Sequence, residues 1–236
     1  NHRVMLESLQ LSRELLVRIV RKNHDHIGID LNLIREKSSA FETIWQIYRR
    51  IGRLLNQLEE IKRHDGKIVR DLHDQFYKFE KQYLEFVGTC SRSLVNIKQL
   101  LILFPGLVVP LELREDRELI KKAQDGQAQP ILEMINQLRR VSLGGEPTWY
   151  VRGMVVSMTE SKEDILNAAH LMKRHLGNLK VPVIPLFENK VALDGATEIV
   201  QDLLSHRMIA QACRSRWGGK FEVMLGYSDS AKESGD

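Results

Sequence analysis

The sequence predicts a predominantly α-helical chain that runs into a partial parallel α/β barrel or an open parallel sheet. Three observations predict it. Residues 1–104 contain no proline, and their apolar residues recur at helical spacing. Past Pro105-Gly106, short runs of Val, Ile and Leu alternate with helical segments, the pattern of parallel strands buried on both faces. Polar residues then follow each run, where the ends of parallel strands gather on one rim. The chain is therefore expected to divide into a helical scaffold over residues 1–104 and a partial α/β barrel over residues 105–236.

Within the scaffold, an opening helix is expected over residues 5–21. Phe41, Ile44, Tyr48, Ile51, Leu55 and Leu58 step by three and four, which puts one apolar stripe on one side of a second helix. Ser39 with Glu42 reads as its capping box, and Asp65-Gly66 as its stop. A further stripe runs through Val69, Leu72, Phe76, Phe79, Tyr83, Phe86, Cys90, Leu94 and Ile97. Such stripes ordinarily pack helix against helix. His24-Asp25-His26 falls on an expected turn as a solvated loop, because no further ligand stands near it to complete a tetrahedral zinc set.

In the second region the β-type runs are residues 107–113 (LVVPLEL), 150–158 (YVRGMVVSM), 181–187 (VPVIPLF) and 221–226 (FEVMLG). Helices are expected over 117–123, from Pro130, from a Ser161/Asp164 cap, and over 194–205.

Composition narrows the function classes. Apolar residues make up 43% and charged residues 28% of 236, as in an ordinary globular protein. No stretch approaches the ~20 apolar residues of a membrane-spanning helix. Residues 1–104 hold 18 basic and 13 acidic groups, interleaved along helices, so the net charge of +4 reads as solvated helix faces and not as a nucleic-acid surface. Cys90 and Cys213 form no CxxC pair, which leaves a reducing cytoplasm as the expected compartment. The opening NHRVMLESLQ has neither an initiator Met nor a signal pattern and reads as a chain entered partway through.

The rim carries the chemistry. Arg114, Glu115 and Asp116 follow the first run, Thr159 and Glu160 the second, Glu188 the third, and Ser228, Asp229 and Lys232 the fourth. Two carboxylates, Glu188 and Asp229, with Arg114 and Lys232 suit a hard divalent cation that bridges to an anionic, phosphorylated substrate. Gly226-Tyr227-Ser228-Asp229-Ser230 does not complete a serine-hydrolase elbow, since Ser230 stands where the second glycine belongs.

The segment FEVMLGYSDSAKESG (residues 221–235) closely resembles the GYSDSAKDAG signature of phosphoenolpyruvate carboxylases. VPVIPLFENKVALDGATEIVQDLL resembles that family's PLFE strand and helix. MVVSMTESKEDILNAAHLMKRH resembles its ISMA strand and the helix after it, and LVVPLELREDR its LDIRQES strand end. The resemblance implies an incomplete TIM-type barrel surrounded by long helices. It implies a magnesium-dependent lyase joining phosphoenolpyruvate and bicarbonate to give oxaloacetate and phosphate, an anaplerotic carbon fixation. On the family pattern Glu188 and Asp229 hold Mg²⁺ (or Mn²⁺), Arg114 grips the substrate phosphate, and Lys232 places charge near bicarbonate or carboxyphosphate. A cytoplasmic homo-oligomer, a tetramer by resemblance, is the implied assembly, with no membrane or nucleic-acid partner.

Departures from the family are as informative. None of the eight histidines sits in a TAHPTE-type motif, and no FHGRGG-type loop is present. The region of the family's feedback-inhibitor site is likewise absent. The stretch between Arg114 and the ISMA-like strand is short for the family, and Glu233-Ser234 replaces its usual Asp-Ala pair. The chain is thus expected to be an internal segment that does not turn over alone. The rival reading is a non-catalytic helical scaffold or interaction module with a degenerate half barrel. Retention of Arg114, Glu188, Asp229 and Lys232 argues against it.

Overall fold

A computed structural model of the chain describes residues 2–35 and 38–226. Asp229 and Lys232 lie outside the described residues. The chain is predominantly α-helical with a small parallel sheet forming a partial α/β barrel. It separates into two compact units, one of Arg3–Pro110 with Arg140–Tyr150, the other of Leu111–Arg139 with the residues from Val151 onward.

In the helical unit, α1 (His2–Leu33), α2 (Ser39–Gln57), α3 (Asp65–Val87) and α4 (Arg92–Leu103) pack through their apolar stripes. Ile44, Ile51 and Leu55 of α2 join Val69, Leu72, Phe76 and Phe79 of α3, with Val20, Ile27 and Leu31 from α1. The opening helix is longer than the expected 5–21 because Ile27 and Leu31 continue its buried face past the polar triplet. His24 is therefore mid-helix and buried, not on a loop. Its ring stacks on Tyr48 at 4.0 Å, and Nε2–H donates to the Tyr48 carbonyl at 2.9 Å. Burial lowers its pKa. Among the described residues no group of His, Cys, Asp and Glu gathers as a metal set. Both cysteines are free.

Two further boundaries differ from expectation. The α2 cap is Ser38, whose hydroxyl accepts from the Phe41 amide at 3.2 Å, one residue before Ser39. The second stripe is two helices, broken where Gly88 takes a left-handed φ of 77° and ends α3.

Asp65-Gly66 opens α3 and does not stop α2, and the cause is a buried charge. Arg13 and Asp65, both fully buried, form a paired fork at 2.9 and 2.7 Å. Arg13 also donates to the carbonyls of Leu58, Gly106 and Leu107, and the Tyr150 hydroxyl donates to Asp65 at 2.7 Å. Burial of such a pair is tolerable only when its donors and acceptors are matched in this way. Burial and the Asp65 carboxylate push the Tyr150 hydroxyl pKa up, so it stays a donor.

That network also explains why β1 starts late. Leu107 adopts a left-handed φ of 49°, its amide bonds to Phe104, and its side chain is fully buried in the helical core. The first half of the 107–113 run thus serves the helices, and the strand begins at Leu111.

From Leu111 the chain orders β1 (Leu111–Asp116), α5 (Arg117–Gln124), α6 (Gln129–Ser142), β2 (Val151–Ser157), α7 (Lys162–Leu176), β3 (Val183–Phe187), α8 (Lys190–Ser205), α9 (Arg207–Ser215) and β4 (Met224–Leu225), with the last residues of α6, from Arg140, in the helical unit. All strand pairings are parallel and follow chain order, β1-β2-β3-β4. Parallel strands in unreversed chain order fit a barrel and not a doubly wound sheet, whose strand order reverses. All five residues of β3 are buried, as a strand covered on both faces requires. Ser161 and Asp164 form the expected capping box of α7.

Candidate functional site at the strand ends

Register decides which side chains share a face. Arg114 pairs with Val155, and Val155 with Ile184; Leu186 pairs with Met224. Val155, Ile184 and Leu186 form one apolar cluster with Met224 packed against it, so Arg114 stands on the face they line. Glu188 continues the alternation of Ile184 and Leu186 one step past the end of β3.

That face is concave. In a flat sheet β1 and β4 would lie about 14 Å apart, with side chains standing perpendicular and out of reach. Instead Arg114 Nη2 comes within 3.9 Å of Met224 Sδ. Arg152 of β2 likewise ties β1 to the segment entering β4, pairing with Glu112 at 3.2 Å and with Glu222.

Most polar residues at the strand ends have structural work. Asp116 caps α5 by accepting from the Glu118 amide at 2.7 Å. Glu115 accepts from the Asp116 amide. Thr159 is buried, its hydroxyl donating to the Val156 carbonyl at 2.8 Å. Glu160 pairs with Arg117 and accepts from Asn189.

Arg114 and Glu188 differ. Arg114 is exposed and forms no ion pair with a described residue, Glu115 and Asp116 included. It lies inside β1, two residues short of the strand's end, and not after the strand as expected. Glu188 is half-buried, and its Oε2 accepts from the Met158 amide at 2.9 Å, which fixes the carboxylate and leaves Oε1 for another partner. Gly226 packs closely on Glu188: a Cβ there would come within 2.9 Å of its Cγ. Asn189 caps α8 by accepting from the Ala192 amide at 2.8 Å, so the helix begins at Lys190 and not near 194. Three supports of the site escaped the sequence reading: Met158, Gly226 and Asn189. Only Asn189 carried a signal, as a capping residue just before a helix.

The arrangement is a concave parallel α/β rim that presents one arginine and one backbone-anchored carboxylate, the class of site that binds anionic substrates at strand ends. A family model described as phosphoenolpyruvate carboxylase matches residues 107–236. The chain belongs to that family. A segment of this chain is 36% identical over 124 residues to the phosphoenolpyruvate carboxylase of Chromohalobacter salexigens, covering 52% of this chain and 13% of that protein. The Thermus thermophilus enzyme is 35% identical over 133 residues, covering 52% and 15%. The Acinetobacter baylyi enzyme is 37% identical over 95 residues, covering 40% and 10%. The matched segments thus span about a seventh or less of these relatives. Among the described residues no helix is long and apolar enough to cross a membrane.

Proposed function

We propose that this chain is the metal- and phosphate-binding segment of a phosphoenolpyruvate carboxylase, which joins phosphoenolpyruvate and bicarbonate to give oxaloacetate and phosphate. The observation that carries this reading is that Arg114 and Glu188 stand on one concave face, where among the described residues Arg114 forms no ion pair and Glu188 Oε1 accepts no hydrogen bond.

Arg114 would meet the substrate phosphate with two parallel donors, geometry a guanidinium supplies and an ammonium does not. Glu188 and Asp229 offer hard carboxylate oxygens, which suit Mg²⁺ or Mn²⁺. A cation bound there supplies Lewis-acid stabilisation for charge developing on the enolate oxygen. The Met158 amide orients Glu188 for that duty. Lys232 adds positive charge for bicarbonate and the phosphate that passes to it. The cytoplasm and a homo-oligomeric state belong to this reading through the family.

Full-length protein tests it. Asp229→Asn exchanges a charged ligand for a neutral amide of nearly equal size. Turnover should fall by at least about 100-fold, equal to about 2.7 kcal/mol of barrier, with the circular dichroism spectrum unchanged. Turnover within a few-fold of the unmodified enzyme at saturating Mg²⁺ would remove Asp229 from the metal site.

A further inference from the structure

Three consecutive strand-to-helix junctions of the unit that carries the sheet are chained by side chains that the carboxylase reading does not use. Arg117, the first residue of α5, pairs through Nη1 with Glu160 Oε2, which lies between β2 and α7. Glu160 Oε1 accepts from Asn189 Nδ2 at 3.1 Å, between β3 and α8. Asp164, the acid of the α7 capping box, stands 3.8 Å from the same Arg117 Nη1. The guanidinium thus meets two acids of the second junction, and one of them passes the link on to the third. An isolated exposed pair would hold little, but a network of charges holds better.

Asn189 suits this link as other capping residues do not. Ser, Thr, Asp and Asn all cap helices well. Asn189 caps α8 with Oδ1, which accepts from the Ala192 amide at 2.8 Å, and so keeps Nδ2 as a donor toward Glu160. An aspartate would face Glu160 with a second carboxylate oxygen, and a serine has no second polar atom. The link also brackets Glu188. The Met158 amide donates to Glu188 Oε2 at 2.9 Å, and Met158 holds a left-handed φ of 57°, which a non-glycine residue keeps only where its surroundings fix it. Glu160, two residues on, holds Asn189, the residue after Glu188.

We propose, resting on the metal-binding reading of Glu188, that Glu160 is a positioning residue: through Arg117 and Asn189 it fixes the segment between β3 and α8, and so the direction in which Glu188 presents Oε1 to a divalent cation. Both carboxylate oxygens of Glu160 are taken by protein partners, so it acts through Asn189 and not as a ligand. Groups that orient a metal ligand from behind tune its affinity nearly as the ligand does.

The test titrates full-length protein with Mn²⁺ alone, without substrate, and reads bound metal by electron paramagnetic resonance well below the unfolding temperature. Glu188→Gln should weaken binding at least about tenfold, since it removes a charged ligand. Asn189→Ser keeps the cap of α8 and removes the donor to Glu160; it should weaken binding at least about threefold. Glu160→Ala should weaken it at least as much. Adding Asn189→Ser to Glu160→Ala should then do nothing further, because both changes cut one contact. Lys162→Gln cuts the exposed pair of Lys162 with Asp202 at 2.8 Å, between α7 and α8, and should leave Mn²⁺ affinity unchanged. A bond that only stabilised the fold would lower Tm and leave the folded protein's affinity as it was. Unchanged affinity in Asn189→Ser, equal loss in Lys162→Gln, or fully additive losses in the double variant would overturn the positioning role while the metal site stood. Mn²⁺ binding that Glu188→Gln leaves intact would overturn the metal site itself, and the positioning role with it.

Discussion

Arg114 is where geometry and charge can be separated. It sits mid-strand on the concave face, and its guanidinium bonds to the Met224 sulfur but forms no ion pair with a described residue. If its work is a bidentate grip on phosphate, Arg114→Lys retains the charge but loses the paired donors. Both Arg114→Lys and Arg114→Ala should then lower kcat/KM for phosphoenolpyruvate by about 30- to 100-fold, from ~2–3 kcal/mol of lost charge-assisted bonding. Steady-state kinetics on the full-length protein checks this. A lysine variant near normal would leave only a general electrostatic role, and two near-normal variants would take Arg114 out of the site. The sequence pointed to this residue because it follows an apolar run. It did not give the residue's height in the strand, since that depends on Leu107 being drawn into the helical core.

At the scale of elements, periodicity was read correctly wherever the apolar stripe settles the question. The stripe of α2, the α7 capping box and the order of strands and helices were all legible. Boundaries were lost where a distant partner decides. Asp65-Gly66 has the composition of a turn, but Arg13, 52 positions earlier, claims Asp65 and makes it the first residue of a helix. Gly66 itself is held there by close backbone approach. A Cβ would lie 2.5 Å from the Ser142 carbonyl oxygen and 2.8 Å from the Gly145 nitrogen. Helix propensity alone favours Gly66→Ala by about 1 kcal/mol. The contact is with backbone, which cannot swing aside as a side chain does, so overpacking of ~1–3 kcal/mol should win. Thermal unfolding of the variant should show a lower Tm; a raised Tm would mean that the 142–145 segment yields without cost.

For the whole molecule, the proposed role of the concave face is phosphoenolpyruvate carboxylation in the longer protein. Glu188 is the most direct lever, because its carboxylate is fixed by the Met158 amide and Glu188→Gln removes the charge at nearly equal size. The decisive measurement is phosphoenolpyruvate-dependent fixation of labelled bicarbonate into oxaloacetate by the full-length protein, with phosphate release followed in parallel, for the unmodified enzyme and for Glu188→Gln. The unmodified enzyme should give equimolar oxaloacetate and phosphate, and a variant that remains folded should fix bicarbonate at least about 100-fold more slowly. Fixation by Glu188→Gln within a few-fold of the unmodified rate, or no fixation by an unmodified protein that binds phosphoenolpyruvate, would contradict that role.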